Sequence, residues 1–320
     1  MKKLIAVVLA VIMVLSLSAA AFAEGDMPEK DVSVICATNA GGAMDTAVRL
    51  LTPHLEESSG VNFPVTNIAG SAGWVALAQL MAGNSRNYEV CYVAFPQIIV
   101  ASMDPSAQLG ITIDDYKPIA LDVDDSNILI AIGGEERFTN LEQFIEYAKN
   151  NDVLIGTSAG VYSDDNVCKT YILEALPELK FQTVHFTSTS EGKAALLGGN
   201  IDILICNVSE AVSQAQSGEV LPVAVCADER FVDLPDTQTF TELGYDVVCG
   251  STRGYVAKGD ISDEMYEKLC SVFDTAMSSE KYISAATERY FGLNKLIGAD
   301  FAEWLDSQNE DMEEMYSNLK

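Results

Sequence analysis

The chain has 320 residues and a formal net charge of −28, with 47 acidic against 19 basic side chains. That balance excludes a partnership with nucleic acid or an anionic membrane surface, both of which need a basic face. With 48% apolar residues the chain can bury the cores of two α/β domains. Seven cysteines without a Cys-x-x-Cys pair, and only two histidines (His54 and His185), leave no metal set or cofactor expected.

Residues 1–23 read as an export signal, with Lys2 and Lys3, an apolar stretch over 4–17, and Ala21-Phe22-Ala23 as a small-x-small cleavage site. The stretch is short for a membrane span. Cleavage after Ala23 starts the exported chain at Glu24, on the periplasmic or extracellular side. The first cysteine, Cys36, is too far from that junction to carry a lipid anchor. The cysteines fall in or beside apolar runs and read as buried thiols.

Strands are predicted at 32–37, 63–67, 90–94, 119–121, 128–132, 153–157, 183–186, 201–207, 222–227 and 246–257, with helical patterns between them. This alternation is the signature of parallel α/β architecture. After the first strand comes Asn39-Ala40-Gly41-Gly42-Ala43-Met44-Asp45; after the second, Asn67-Ile68-Ala69-Gly70-Ser71-Ala72-Gly73. Each reads as strand, tight loop, helix start. Ala43, Ala47, Leu50, Leu51 and Leu55 share one face of the first helix, which Pro53 is expected to kink or shorten. Trp74, Leu77, Ala78 and Met81 do the same in the second. Thr139-Asn140-Leu141-Glu142 reads as a capping box opening a helix to Asn150, Ser262 caps another, and 299–319 reads as a long acidic amphipathic helix. A polar break at Asp122-Val123-Asp124-Asp125, with a return crossing near 245–250, predicts one lobe from 24–122 and 248–320 and an inserted lobe from 123–247. Such a layout suits hinge closure.

On adjacent parallel strands, the two loops would aim free backbone N–H groups at one point, with the positive ends of two helix dipoles behind them. That is an anion cradle without arginine. Gly41, Gly42 and Gly70 permit positive φ or close approach of a ligand to the backbone, and they also serve plain turns. Asp45 reads as a helix cap or a bond to the opposing loop, and Asn67 as a turn residue; both are expected to support the pocket more than to touch the ligand. Arg49 and Arg253 read as surface or hinge ion pairs, with a ligand clamp as the alternative.

Together these motifs resemble the extracytoplasmic solute-binding components of tripartite tricarboxylate transporters, the Bug receptors. The family's first loop is kept as Ala40, Gly41, Gly42 and Asp45, and its second as Asn67, Gly70 and Gly73, with Ala69 for a proline and Ala72 for a glycine. Its Ser-Ala-Gly is Ser158-Ala159-Gly160, its Leu-Leu-Gly-Gly-x-Val-Asp is 196–202, and its aromatic after the inserted lobe's third strand is Phe186. The resemblance implies a two-lobed type II periplasmic-binding-protein fold, with a hinge and an interlobe cleft. It also implies a small organic acid held on backbone amides, delivery to integral-membrane permease subunits, a monomer, and no catalysis. The implied ligand-binding residues are Asn39, Ala40, Gly41, Gly42, Asp45, Asn67, Gly70, Ser71, Ala72, Gly73, Ser158, Ala159, Gly160 and Phe186.

Departures from the pattern are Trp74, for a small polar residue, the run Val161-Tyr162-Ser163-Asp164-Asp165, and Thr187-Ser188 for Lys-Gly. Asp164 and Asp165 read as a helix amino terminus, or as the wall for a ligand with an amine or ring beside its carboxylate. Two further functions remain at this level. Gly156-Thr157-Ser158-Ala159-Gly160 fits an esterase elbow, although only His185 follows it and no His-Gly-Gly loop exists. A free-standing sensory or scavenging protein would share the same lobes.

Overall fold

The computed structural model describes residues 28–104, 110–158 and 160–318. The expected export segment and Ala159 lie outside them. In chain order the elements are β1 (Ser33–Cys36), α1 (Ala43–Ser59), β2 (Val65–Asn67), α2 (Trp74–Ala82), β3 (Glu89–Ala94), α3 (Phe95–Met103) and β4 (Tyr116–Ile132). Then follow α4 (Leu141–Asn150), β5 (Val153–Thr157), α5 (Asp164–Ala175), β6 (Phe181–His185), α6 (Thr189–Leu197), β7 (Ile203–Asn207), α7 (Val208–Ser217) and β8 (Val220–Val225). The chain returns through β9 (Gly250–Lys258), α8 (Asp263–Met277), α9 (Glu280–Thr287), β10 (Leu293–Ile297) and α10 (Ala299–Asn318).

One ten-stranded sheet runs β2-β1-β3-β9-β4-β7-β5-β6, with β8 and β10 also pairing to β4. Strand periodicity divides its side chains between two faces. Val34, Cys36, Val90 and Tyr92 pack under α1 and α8, while Ile35, Cys91 and Val93 pack under α2, α3 and α10. Beyond β4 the same alternation sends Leu129 and Ile205 one way, Ile130 and Leu204 the other.

The sequence predicts two strands around the polar break; the structure has a single strand, β4. It pairs with β9 as far as Ser126, with β7 from Asn127 onward and with β8 from Ile128 onward. The acids do not end the strand because each finds a partner beside it. Tyr92 Oη donates to Asp122 Oδ1 (2.9 Å), Thr252 Oγ1 to Asp124 Oδ1 (3.3 Å), and Ser209 N to Asp125 Oδ1 (3.1 Å).

Two helix expectations also change. α1 continues through Pro53, because burial of Leu51 and Leu55 on either side outweighs the hydrogen bond the ring forgoes. The cap of α4 is Asn140, which accepts from Gln143 N at 3.0 Å, while Thr139 N donates to Gln143 Oε1 at 2.9 Å. The capping pattern is thus one residue later than predicted. α10 begins where expected, and Ser262 caps α8. No helix among the described residues is long and apolar enough to cross a membrane.

Candidate functional site

The first loop is fastened by a carboxylate. Gly41 has a φ of 89°, open to glycine without strain, and its N–H donates to Asp45 Oδ2 at 2.8 Å. Asp45 Oδ1 accepts from Arg49 Nε (2.9 Å) and Asn67 Nδ2 (2.8 Å), and Arg49 Nη2 donates to Asn67 Oδ1 (2.9 Å). Burial pushes the Asp45 carboxyl up, yet the Gly41 N–H, Arg49 and Asn67 together hold it below the ordinary aspartate value. The cap residue of α1 is Gly42, with no side-chain cap, so Asp45 and Asn67 tie the loop to β2. The amides of Gly42, Ala43 and Met44 belong to the helix start, where N–H groups lack intrahelical acceptors.

The second loop is built differently. Gly70, Ser71, Ala72 and Gly73 all have positive φ, at 132°, 47°, 54° and 96°. Trp74, a departure from the family pattern, is 2% exposed in the core beneath the sheet. It shapes no ligand wall.

A cavity of about 690 Å³ opens between the first loop, the starts of α5, α6 and α7, and β9. Of the predicted site residues, Asn39, Ala40, Gly41, Gly42 and Ser158 line it. Asp45 and Asn67 stand behind the first loop. Gly70, Ser71, Ala72, Gly73, Gly160 and Phe186 lie outside the lining. The Phe186 ring instead covers Gly156, where an added Cβ would meet it at 3.0 Å.

The cavity also gathers Arg253, for which a ligand clamp is the alternative reading, and Asn207 and Glu210, which the sequence did not single out for binding. Arg253, 1% exposed, lines it from β9. Its Nε donates to Ser251 Oγ (3.0 Å), and its Nη2 to Asn207 Oδ1 (3.0 Å) and Asp125 Oδ2 (3.4 Å). Its Nη1 has no partner among the described residues. Asn207 Nδ2 donates to Asp164 Oδ2 at 2.9 Å. Asn207 and Glu210 form the capping box of α7, a pattern readable in Asn207-Val208-Ser209-Glu210 after the apolar run of β7. Burial pushes Asp125 up to about 6 against the pull of Arg253 and Ser209, and it raises Glu210 as well. It drives Asp165 well above the carboxylate range, helped by the charge of Asp164.

The elbow motif carries no nucleophile–base pair. Ser158 donates from N and Oγ to Asp165 Oδ2, at 2.8 and 2.5 Å, while His185 Nδ1 lies 2.8 Å from Thr157 Oγ1. Away from the cavity, the fold brings Cys168, Cys226 and Cys249 together, with sulfurs all within 4.8 Å of one another. Spacing along the chain hides this trio, because its members come from α5, the end of β8 and the approach to β9. These are the described residues that could hold a soft metal ion.

Comparison with known proteins follows from this geometry. The family described as tripartite tricarboxylate transporter family receptor, TctC, matches residues 48–303. An Agrobacterium vitis UPF0065 protein, from the TAR-I ttuE-ttuC' intergenic region, is 23% identical over 270 residues, covering 83% of this chain and 78% of its own. A Cupriavidus necator UPF0065 protein from the gbd 5' region is 23% identical, covering 80% and 77%. Among solved structures, the periplasmic binding protein BugD superposes with a TM-score of 0.80 at 23% identity, covering 91% of this chain and 98% of its own. Rhodopseudomonas palustris Rpa4515 with adipate gives 0.81 at 18% identity, and MatC of the same organism with bound malate gives 0.73 at 21%, each covering 91% of this chain and 98% of its own. The architecture is that of periplasmic binding proteins, and the chain belongs to the TctC family of tripartite tricarboxylate transporter receptors.

Proposed function

We propose that the protein is an exported, non-enzymatic receptor that holds a small carboxylate in the 690 Å³ cavity. It acts as a monomer and presents its closed form to integral-membrane permease subunits. The observation that carries this reading is the meeting, in one cavity, of the helix-start amides of α1 and the buried guanidinium of Arg253. Charge-assisted hydrogen bonds contribute about 1.5–3 kcal/mol each, so three or four reach the roughly 8 kcal/mol of micromolar binding. Closure has a physical basis in the sheet. β4 and β9 connect the two halves, and Gln97 of α3 reaches Asp164 of α5 across the cavity at 3.5 Å. The adipate and malate bound by the two R. palustris proteins support a carboxylate as ligand class.

The test is a thermal-shift and calorimetric screen of mono-, di- and tricarboxylates, amino acids and pyridine acids. Gly42 lines the cavity, and a Cβ there meets only Asn39 O at 3.9 Å, so Gly42→Leu is tolerated by the backbone. The variant should fold as the parent does and bind the hit at least tenfold more weakly. Stabilisation by sugars or simple amines alone would reject the reading.

A further inference from the structure

We propose that the ligand carries a cationic amine beside its carboxylate, so that the cavity takes a zwitterion of the α-amino-acid type. This rests on the carboxylate reading above and adds the second recognised group. Neither adipate nor malate, named for the neighbours, has an amine.

The wall opposite the first loop is anionic. Asp164 (6% exposed) and Glu210 both line the cavity, with Asp125 (2%) and Asp165 (1%) behind them. Among the described residues Asp164 accepts only from amides: Asn127 Nδ2 at 3.1 Å, Asn207 Nδ2 at 2.9 Å and, at the long distance of 3.5 Å, Gln97 Nε2. Glu210 accepts through Oε2 from Thr189 Oγ1 at 3.1 Å and Asn207 N at 3.4 Å. Lys193 donates to the Glu210 carbonyl rather than to its carboxylate. Neither Asp164 nor Glu210 forms an ion pair among the described residues, and the only pair of Arg253 is with Asp125 at 3.4 Å. Asp164 and Glu210 thus meet the cavity without an ion pair of their own among the described residues. Asp165, pushed up by burial, adds little negative charge, and Arg289, the cavity's other guanidinium, donates to the Ala285 carbonyl at 3.0 Å. An anionic wall left without a countercharge is costly.

The spacing of the two charge types fits one small molecule. The Asn207 side chain joins them: its Oδ1 accepts from Arg253 Nη2 and its Nδ2 donates to Asp164 Oδ2. Guanidinium and carboxylate thus lie one hydrogen bond to either side of a single carboxamide. An α-amino acid presents its carboxylate and ammonium on one carbon, so both can engage at that separation. The carboxylate takes the α1 amides, on the side of Arg253, and the ammonium takes Asp164 and Glu210. A second carboxylate in the ammonium's place would face like charge, which discriminates against plain dicarboxylates.

Calorimetry with matched ligands tests this: the twenty amino acids against their des-amino and 2-hydroxy twins, such as aspartate against succinate and malate. At least one amino acid should bind tenfold or more tightly than its twins. Asp164→Asn should shrink that preference at least tenfold, while leaving the twins' affinity unchanged or higher. Glu210→Gln is read the same way should the first variant fail to fold. Equal or tighter binding of the twins, or a preference that survives both substitutions, overturns the inference and leaves the carboxylate receptor standing. Binding confined to compounds without a carboxylate overturns the receptor reading as well.

Discussion

The two glycine loops share a grammar of strand, loop and helix start, yet the protein uses them differently. The first is pinned from behind by Asp45, Arg49 and Asn67 and turns its backbone to the cavity. The second lies outside that lining and carries four consecutive positive φ values, two of them on residues with a Cβ. Left-handed backbone costs such residues about 1–2 kcal/mol each. The difference teaches that a loop presents amides only when something else fixes its shape. A carboxylate does so for the first loop without strain, whereas the second holds its turn against the preferences of Ser71 and Ala72.

Removing the pin should have the largest effect. Asp45→Ala strips acceptors from the Gly41 N–H, Asn67 and Arg49. A loss of about 2–3 kcal/mol in urea denaturation is expected, mostly from the first two because Arg49 is half exposed. The pH dependence has a definite sign. The folded Asp45 value lies below its ordinary 3.8, so its contribution is complete above 3.8 and lost as pH falls through the folded value. The stability gap between parent and Asp45→Ala should therefore close on acidification below that pH. An equal gap at neutral and strongly acidic pH would show that the network does not hold the loop.

Substitutions in the second loop should have smaller effects, opposite in sign to each other. Gly70 has a φ of 132°, and a Cβ there meets Val75 Cγ2 at 3.0 Å, so Gly70→Ala should cost about 1–2 kcal/mol. Ala72, at a φ of 54°, stands where the resemblance expects glycine. Ala72→Gly should raise the melting temperature, by about 0.5–1 kcal/mol in stability, because relief of strain exceeds the added chain entropy. A drop in its melting temperature would remove strain from the comparison.

What was legible beforehand was local. Periodicity placed the first helices and the tail, turn chemistry placed both loops, and Ser163, ahead of Asp164 and Asp165, opens α5 as an acidic helix start should. The polar break misled because Asp122, Asp124 and Asp125 look like a loop until Tyr92, Thr252 and Ser209 arrive from elsewhere in the chain.

By itself, then, the amino-acid order determined the α/β alternation, the two strand–loop–helix units and the acidic surface. These depend on backbone preferences and spacings within a few residues. Only the tertiary structure decided which loop faces the cavity and that Arg253, Asn207 and Asp164 lie within one hydrogen-bond chain. Arg253 and Asp125 are 128 positions apart. They meet because β4 and β9 pair, and strand pairing is a property of the whole sheet.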